Sequence, residues 1–337
     1  MSGDVHIHGP RDPVPDDSVW LRSCWDTVAP AGAAIEMRYL TRSDKPRLDA
    51  FLVVRTEAAD PDEAEHRCAH LREQLGILPG HAVAAPVTDA DETHRVLRPF
   101  EPPGDGIVEV RKRLTVQQSR RGDTAHPWLT AVTPLRHQRQ AWDPLWTDLA
   151  QLPYRAMLSV GLLPYSVGPG LRAHLAARAA DLTRLAQPGP APTGVWNVAR
   201  EPDEFAGAAL ALVSDAVRRY TDRAFLLRVS VAAERTVPGL LAERIADTIS
   251  PRTAAPGFAG AAPAVVRPEP ADLAVAWDNV TALNFAPLTA YAQGNPPAAI
   301  GELEQVLGAI ADLDEAAAAF RLPYRPSGRP PVFAESP

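Results

Sequence analysis

A unit of strand, loop, proline and helix occurs three times in this sequence and limits the fold more than any other feature. The first copy is DAFLVVRTEAADPDEAEHRCAHLREQ, in which Pro61 opens the helix. In the other two copies, strands at 157–163 and 225–231 precede helices opened by Pro169 and Pro238. Proline suits the first helical position because the N–H that it lacks has no partner there. The repeat predicts helices that pack back onto the sheet formed by their own strands.

We therefore predict an α+β fold, a two-layer α/β sandwich of tandem or duplicated ferredoxin-like modules with a C-terminal helix and an extended tail. The C-terminal helix is predicted over 299–320, where leucine, valine and isoleucine recur on one face. The predicted organisation is a flexible tail at 1–16, a first α/β module at 17–140, a second module with the internal repeat at 141–325, and an extended tail at 326–337.

Further elements follow from apolar runs and helix-start signals. Helices are predicted at 18–27 and 89–96, and Pro144, Pro202 and Pro270 mark the starts of others. Runs at 35–40 and 51–54, separated by the polar turn TRSDKPRLD, predict a hairpin. Strands are also predicted at 83–87 and 107–116.

Lysine occurs only twice, at Lys45 and Lys112, and this excludes several catalytic classes. Neither lysine lies in the G-x-x-x-x-G-K-[ST] pattern of a phosphate-binding P-loop or in the lysine motif of protein kinases. Zincin and nucleophile-elbow motifs are missing as well. We therefore expect a non-enzymatic protein, with an enzyme of unrecognised class as an alternative.

The compartment is predicted from the N-terminus and the cysteines. The segment MSGDVHIHGPRDPVPDDSVW lacks the apolar core of a signal peptide, and no run of 18 apolar residues could cross a membrane. Only two cysteines occur, Cys24 and Cys68, which is too few for a disulfide framework. These features indicate a cytoplasmic protein without membrane insertion.

The densest charge feature is a basic stretch from Arg111 to Arg139, which contains one acid, Asp123. With the neighbouring tryptophans Trp128 and Trp142, it could track a phosphate backbone or an acidic partner. The alternative is a solvated strand face followed by a basic loop. The candidate binding residues are Arg111, Lys112, Arg113, Arg120, Arg121, Arg136 and Arg139.

Three weaker patterns were weighed against structural roles. His66 and His70 share a helix face at a metal-binding spacing, but the surrounding charges also fit a solvated face. Asp123 and His126 form a possible acid/base pair. GPGLRA at 168–173 fits a dinucleotide fingerprint, yet the acid expected about 20 residues later is missing. We predict no cofactor and no metal, with His66 and His70 as weak metal candidates.

The order of several segments resembles a known family. IEMRYLTRSDKPRLDAFLVVR is followed by LAQLPYRAMLSVGLLP, then LLRVSVAA and finally EAAAAFRLPYRPSG. Together they resemble the region that precedes the motor in actinobacterial ATPases similar to HerA/FtsK and to conjugative type IV secretion ATPases. The resemblance covers most of residues 34–325, and the family's P-loop domain is not part of this sequence.

The resemblance implies docking, oligomer contacts or substrate presentation beside a separate motor. We therefore predict an accessory or interaction protein, with a P-loop translocase of a secretion or conflict system as its partner. A nucleic-acid-associated protein that uses the basic stretch is the alternative. The residues predicted to dock the partner lie in the C-terminal tail: Phe320, Arg321, Pro323, Arg325 and Arg329.

Overall fold

A computed structural model describes residues 2–7, 14–42, 44–119, 121, 127–138, 141–189, 200–288, 300–325 and 332–333. The strands in this part of the chain are β1 (Ser2–Ile7), β2 (Ala34–Thr41), β3 (Leu48–Arg55), β4 (Ala82–Pro86), β5 (Ile107–Arg111), β6 (Arg113–Gln118), β7 (Trp128–Thr133), β8 (Ala156–Ser166), β9 (Arg223–Ala233), β10 (Ala264–Val266) and β11 (Ile310–Ala311).

Most helices of the described residues begin near the predicted signals. They are α1 (Ser18–Val28), α2 (Pro61–Leu75), α3 (Ala90–Leu97), α4 (Asp143–Ala150), α5 (Pro169–Leu185), α6 (Glu204–Arg219), α7 (Gly239–Ile249), α8 (Leu273–Thr281), α9 (Glu302–Ala309) and α10 (Leu313–Ala319), with a 3-10 turn (Pro270–Asp272) before α8. Each of the three strand units of the repeat is followed by its helix, so the repeat is present as α2 after β3, α5 after β8 and α7 after β9.

Within the described residues, nine strands form one antiparallel sheet in the order β10-β5-β9-β8-β2-β3-β1-β4, with β11 beside β9, and β6 and β7 form a separate two-stranded ribbon. The α+β class is thereby confirmed. The sheet crosses the predicted boundary at residue 140, because β5 lies between β9 and β10, at the far end from β4. The segment predicted as a flexible tail contributes β1, which pairs with both β3 and β4.

Helices lie against both faces of the sheet. Alternate strand residues such as Met37 and Leu158 pack with α1, α2, α4, α7 and α10 in the largest apolar cluster. The intervening residues, such as Phe51 and Met157, pack with α3 and α8 on the opposite face. This alternation is the two-residue period of a strand that is covered on both sides. No helix in the described part of the chain combines the length and apolar character needed to cross a membrane.

The single helix predicted over 299–320 is wrong. The chain forms α9, then the short strand β11, then α10. The first helix ends at Ala309, and Asp312 starts the second, since its carboxylate accepts the Glu315 N–H at 2.8 Å while Glu315 accepts the Asp312 N–H at 3.2 Å. This reciprocal capping box is a helix-start signal. Because apolar residues recur on one face throughout 299–320, the periodicity predicted one continuous helix and did not indicate this break.

Candidate functional site

The predicted basic stretch is not one exposed strip, and Lys112 shows this most clearly. Its side chain is buried, and the ammonium lies 2.7 Å from Glu315 Oε1 and donates to Tyr220 Oη at 2.6 Å and to the Ile310 carbonyl. Burial lowers the pKa of Lys112, and Glu315 opposes that effect. A buried, paired lysine does not neutralise phosphates. Instead, Lys112 separates β5 from β6, so the single strand predicted over 107–116 is two strands.

The neighbouring arginines also have partners within the chain. Arg111 donates twice to Glu109, at 2.9 and 2.8 Å. Arg113 Nε donates to the Ala262 carbonyl at 2.6 Å, and Arg121 Nη1 donates to the Leu185 carbonyl at 3.0 Å. Of the described members of the stretch, only Arg136 is exposed. Arg120, Arg139 and the proposed pair Asp123 and His126 lie outside the described residues.

The segment predicted to dock a partner is mostly an internal anchor. Residues 320–324 are all buried, and Tyr324 Oη accepts the Trp142 N–H at 2.8 Å. Phe320 stacks on Trp20 with ring centroids 5.9 Å apart.

Arg321 donates to the Pro15 carbonyl at 2.7 Å, which ties the C-terminal segment to the start of α1. Pro323 is buried, whereas Arg325 is exposed and Arg329 is outside the described residues. Phe333 is buried as well and packs 4.9 Å from the Trp146 ring, so this part of the tail belongs to the core.

The histidine pair lies on the exposed side of α2. Both His66 and His70 are exposed, and Glu63 pairs with Arg67 at 2.5 Å. No group of three or more histidine, cysteine or acidic residues with metal-binding geometry occurs in the described ranges.

A row of polar residues crosses the centre of the sheet on the face that carries α3 and α8. The register places Arg38, Ser159, Ser230 and Glu109 side by side on β2, β8, β9 and β5. All four are almost completely buried. None of these four residues is among the predicted site residues, although a charge within an apolar strand, as in IEMRYL, is a sequence signal for a buried, paired group.

A second polar row lies next to the first. Glu36, Gly161 and Arg228 are neighbours on β2, β8 and β9. Arg228 donates to Glu36 Oε2 and, at 2.6 Å, to the Asn284 carbonyl, and its guanidinium lies 5.2 Å from the Phe285 ring centroid. A Cβ on Gly161 would be 3.1 Å from the Arg228 guanidinium, so glycine leaves room for this bridge. Burial lowers the pKa of Arg228.

The rows fasten two helices to the sheet. Arg38 donates to the carbonyls of Val96 and Leu97 at the end of α3 and, at 2.7 Å, to the Val280 carbonyl near the end of α8. Its Nε also donates to Glu36 at 2.6 Å. Carbonyls at a helix C-terminus lack helical partners and carry partial negative charge, so a buried arginine compensates both ends. This buried cluster therefore holds α3 and α8 against the sheet and is not accessible to solvent.

An open groove lies beside β6 in the described structure. Arg113 and Thr115 line it from the strand, and α7 together with residues 257–263 lines it from the other side, enclosing about 560 Å³. A second recess of about 270 Å³ lies between Gln117 and the start of α6 and shares Gly257 with the first. Residues 113, 115 and 117 share one strand face, so they line up along the groove.

The wall of the groove is a tightly held loop. Thr253 and residues 260–261 close it with backbone hydrogen bonds of 2.9 and 2.8 Å. Gly257 and Gly260 have φ angles of +79° and +82°, which glycine adopts without strain. Phe258 is buried and packs edge-on against Phe205 of α6, with centroids 5.6 Å apart. A wall fixed in advance lowers the ordering cost of binding.

The charged side chains that line the groove are mostly acidic. Four carboxylates, those of Asp203, Glu204, Glu243 and Asp247, face two guanidiniums, those of Arg113 and Arg252. Arg113 donates to loop carbonyls, and Arg252 lies 3.6 Å from Asp247. A phosphate backbone would meet net repulsion here. The sequence signal for the loop is PGFAG, a pair of glycines around a phenylalanine.

No protein-family model matches the chain, and no curated protein matches it either.

Proposed function

We propose that the chain is a non-enzymatic interaction protein that holds an extended segment of a partner protein in the groove beside β6. The observation that carries this proposal is the groove itself, which is lined by alternate residues of one strand and walled by the fixed loop at 253–263. An open groove suits an extended chain better than a small molecule, because small-molecule sites enclose most of the surface of their ligand.

The wider role rests on the sequence resemblance. Segments such as IEMRYL and FRLPY resemble the region before the motor of actinobacterial translocases. We therefore propose a cytoplasmic, ATPase-associated accessory subunit whose partner is a P-loop translocase of a secretion or conflict system. Because residues 320–324 are buried, the contact is assigned to the groove rather than to this segment.

Photo-cross-linking in the source cells tests the proposal. A photoreactive amino acid replaces Thr115 in the groove or, as the control, exposed Thr183 on α5, which is not among the groove residues. We expect one protein to cross-link from position 115 and not from position 183.

That protein, once purified, should bind the wild-type chain and lose affinity when Thr115→Trp fills the groove. Equal binding to the Thr115→Trp and Thr183→Trp variants would reject the groove as the binding site. A partner without a P-loop would reject the translocase assignment alone.

A further inference from the structure

The carboxylates that line the groove differ in whether they have a partner within the described structure. Asp203 is buried and caps α6, because it accepts the Ala206 N–H at 3.1 Å, and Asp247 lies beside Arg252. Glu204 and Glu243 are exposed, and neither forms an ion pair within the part of the chain that the structure describes.

These two exposed carboxylates lie in different parts of the groove. Glu243 projects from α7 and lines the larger recess, whereas Glu204 begins α6 and lines the smaller one. Gly257 lines both recesses, and it packs against Ala208 of α6, where a Cβ on the glycine would come within 2.5 Å of the alanine Cβ. A chain that occupies both recesses therefore meets one free carboxylate in each.

The cations of the groove offset these charges only in part, because two guanidiniums face four carboxylates. The Arg113 guanidinium donates to the Ala262 carbonyl at 2.6 Å and to the Pro263 carbonyl at 3.4 Å, which holds it against the loop. Arg252 is turned toward Asp247. The protein as a whole has a formal net charge of −7, so its long-range field also attracts a basic partner.

We infer that the partner segment is basic, with arginine or lysine on both sides of small or apolar residues. The central residues would pass Gly257 beside Ala208 and Ala246, and the flanking cations would pair with Glu204 and Glu243. This inference rests on the proposed function, since it names the chemistry of the segment that occupies the same groove. Paired exposed charges add modest affinity and make association depend on salt.

Three fluorescent peptides of equal length test the inference by anisotropy. They share a Val-Thr-Val centre, and their flanking residues are arginine, serine or glutamate. We expect the arginine-flanked peptide to bind most tightly and to weaken as salt increases. Glu204→Gln and Glu243→Gln should each lower its affinity about two- to fivefold. The matched control is Glu302→Gln, since Glu302 is exposed and begins α9 as Glu204 begins α6, but it does not line the groove.

The possible failures separate the two claims. Equal affinity of the three peptides, with loss of binding in Thr115→Trp, would overturn the basic partner and leave the groove function in place. Equal effects of Glu302→Gln and Glu204→Gln would likewise overturn it, because the charge would then act from anywhere on the surface. Failure of all three peptides to bind would overturn it too, and the groove function would then be decided by the cross-link at position 115.

Discussion

Gly257 lies so close to Ala208 that a Cβ on the glycine would come within 2.5 Å of the alanine Cβ. This contact joins the loop at 253–263, which forms one wall of the groove, to α6. Real Cβ atoms do not approach one another so closely, so any side chain at position 257 must displace the loop or the helix.

We expect Gly257→Ala to destabilise the protein more than Gly260→Ala does. Both glycines have φ near +80°, so alanine costs about 1–2 kcal/mol of backbone strain at either position. Only at Gly257 does the new Cβ also meet a neighbour, whereas Gly260 has none within 4 Å. Urea unfolding measures the difference. Equal losses in the two variants would show that the loop does not press on α6.

Gly161→Ala should lower the free energy of unfolding because the new methyl group would crowd Arg228 and Phe285, each at 3.1 Å. The expected loss is about 1–3 kcal/mol, typical of an overpacked buried site. Gly207→Ala is the opposite control, since this glycine lies within α6 with its nearest neighbour at 4.0 Å. It should gain about 0.5–1 kcal/mol. A neutral Gly161→Ala would contradict a tightly closed bridge between Arg228 and Glu36.

Phe333→Ala should destabilise the protein by about 3–5 kcal/mol, as large-to-small changes in a core do. The Phe333 ring is buried between Tyr39 and Trp146, with centroids 6.0 and 4.9 Å away. Arg325→Ala, at an exposed position of the same tail, should change stability by less than about 0.5 kcal/mol. Thermal unfolding compares the two variants. If Phe333→Ala were as harmless as Arg325→Ala, the tail would not belong to the core.

Glu315 should make stability fall in acid. Its neighbours Lys112 and Arg219 outweigh the opposing effect of burial, the largest single influence, and lower its pKa below the ordinary value of 4.5. As the pH falls from about 4.5 toward the lowered value, the unfolded chain therefore binds more protons than the folded one, and the contribution of Glu315 is lost. Glu315→Gln should remove this acid-dependent part and cost about 3–5 kcal/mol at neutral pH, because Lys112 loses its partner.

Tyr220→Phe keeps that prediction measurable if Glu315→Gln does not fold. Tyr220 donates to Glu315 Oε2 at 2.5 Å, so its removal should cost about 1–3 kcal/mol while the ion pair with Lys112 remains. Urea unfolding at pH 7 gives the cost of each substitution, and comparison with pH 4 gives the acid-dependent loss of stability. An acid-induced loss that is equal in wild type and Glu315→Gln would contradict the assigned role of Glu315.

Local signals predicted most of the elements. Asp60 followed by Pro61 fixed the start of α2, and the carboxylate of Asp60 does cap it by accepting the Glu63 N–H at 2.8 Å. The two apolar runs and the polar turn between them likewise predicted the hairpin of β2 and β3. Such signals act over a few residues, so a sequence displays them directly.

The sheet order and the groove depend on contacts between distant residues. Lys112 and Glu315 are 203 positions apart in the numbering of the chain, and no local sequence pattern near either residue indicates that the two form an ion pair. The same holds for Arg38 and Val280 and for Gly257 and Ala208. No local pattern therefore indicates that the buried arginines hold helices against the sheet. For the same reason, the basic stretch is predicted from sequence to be exposed.

Hydrogen exchange of the chain, alone and bound to the partner identified by cross-linking, tests the central claim most directly. The account predicts slower exchange at 113–117, at 253–263 and at the start of α6, with little change in α2 or in 320–324. Protection confined to other surfaces, with the groove segments exchanging as in the free chain, would contradict it.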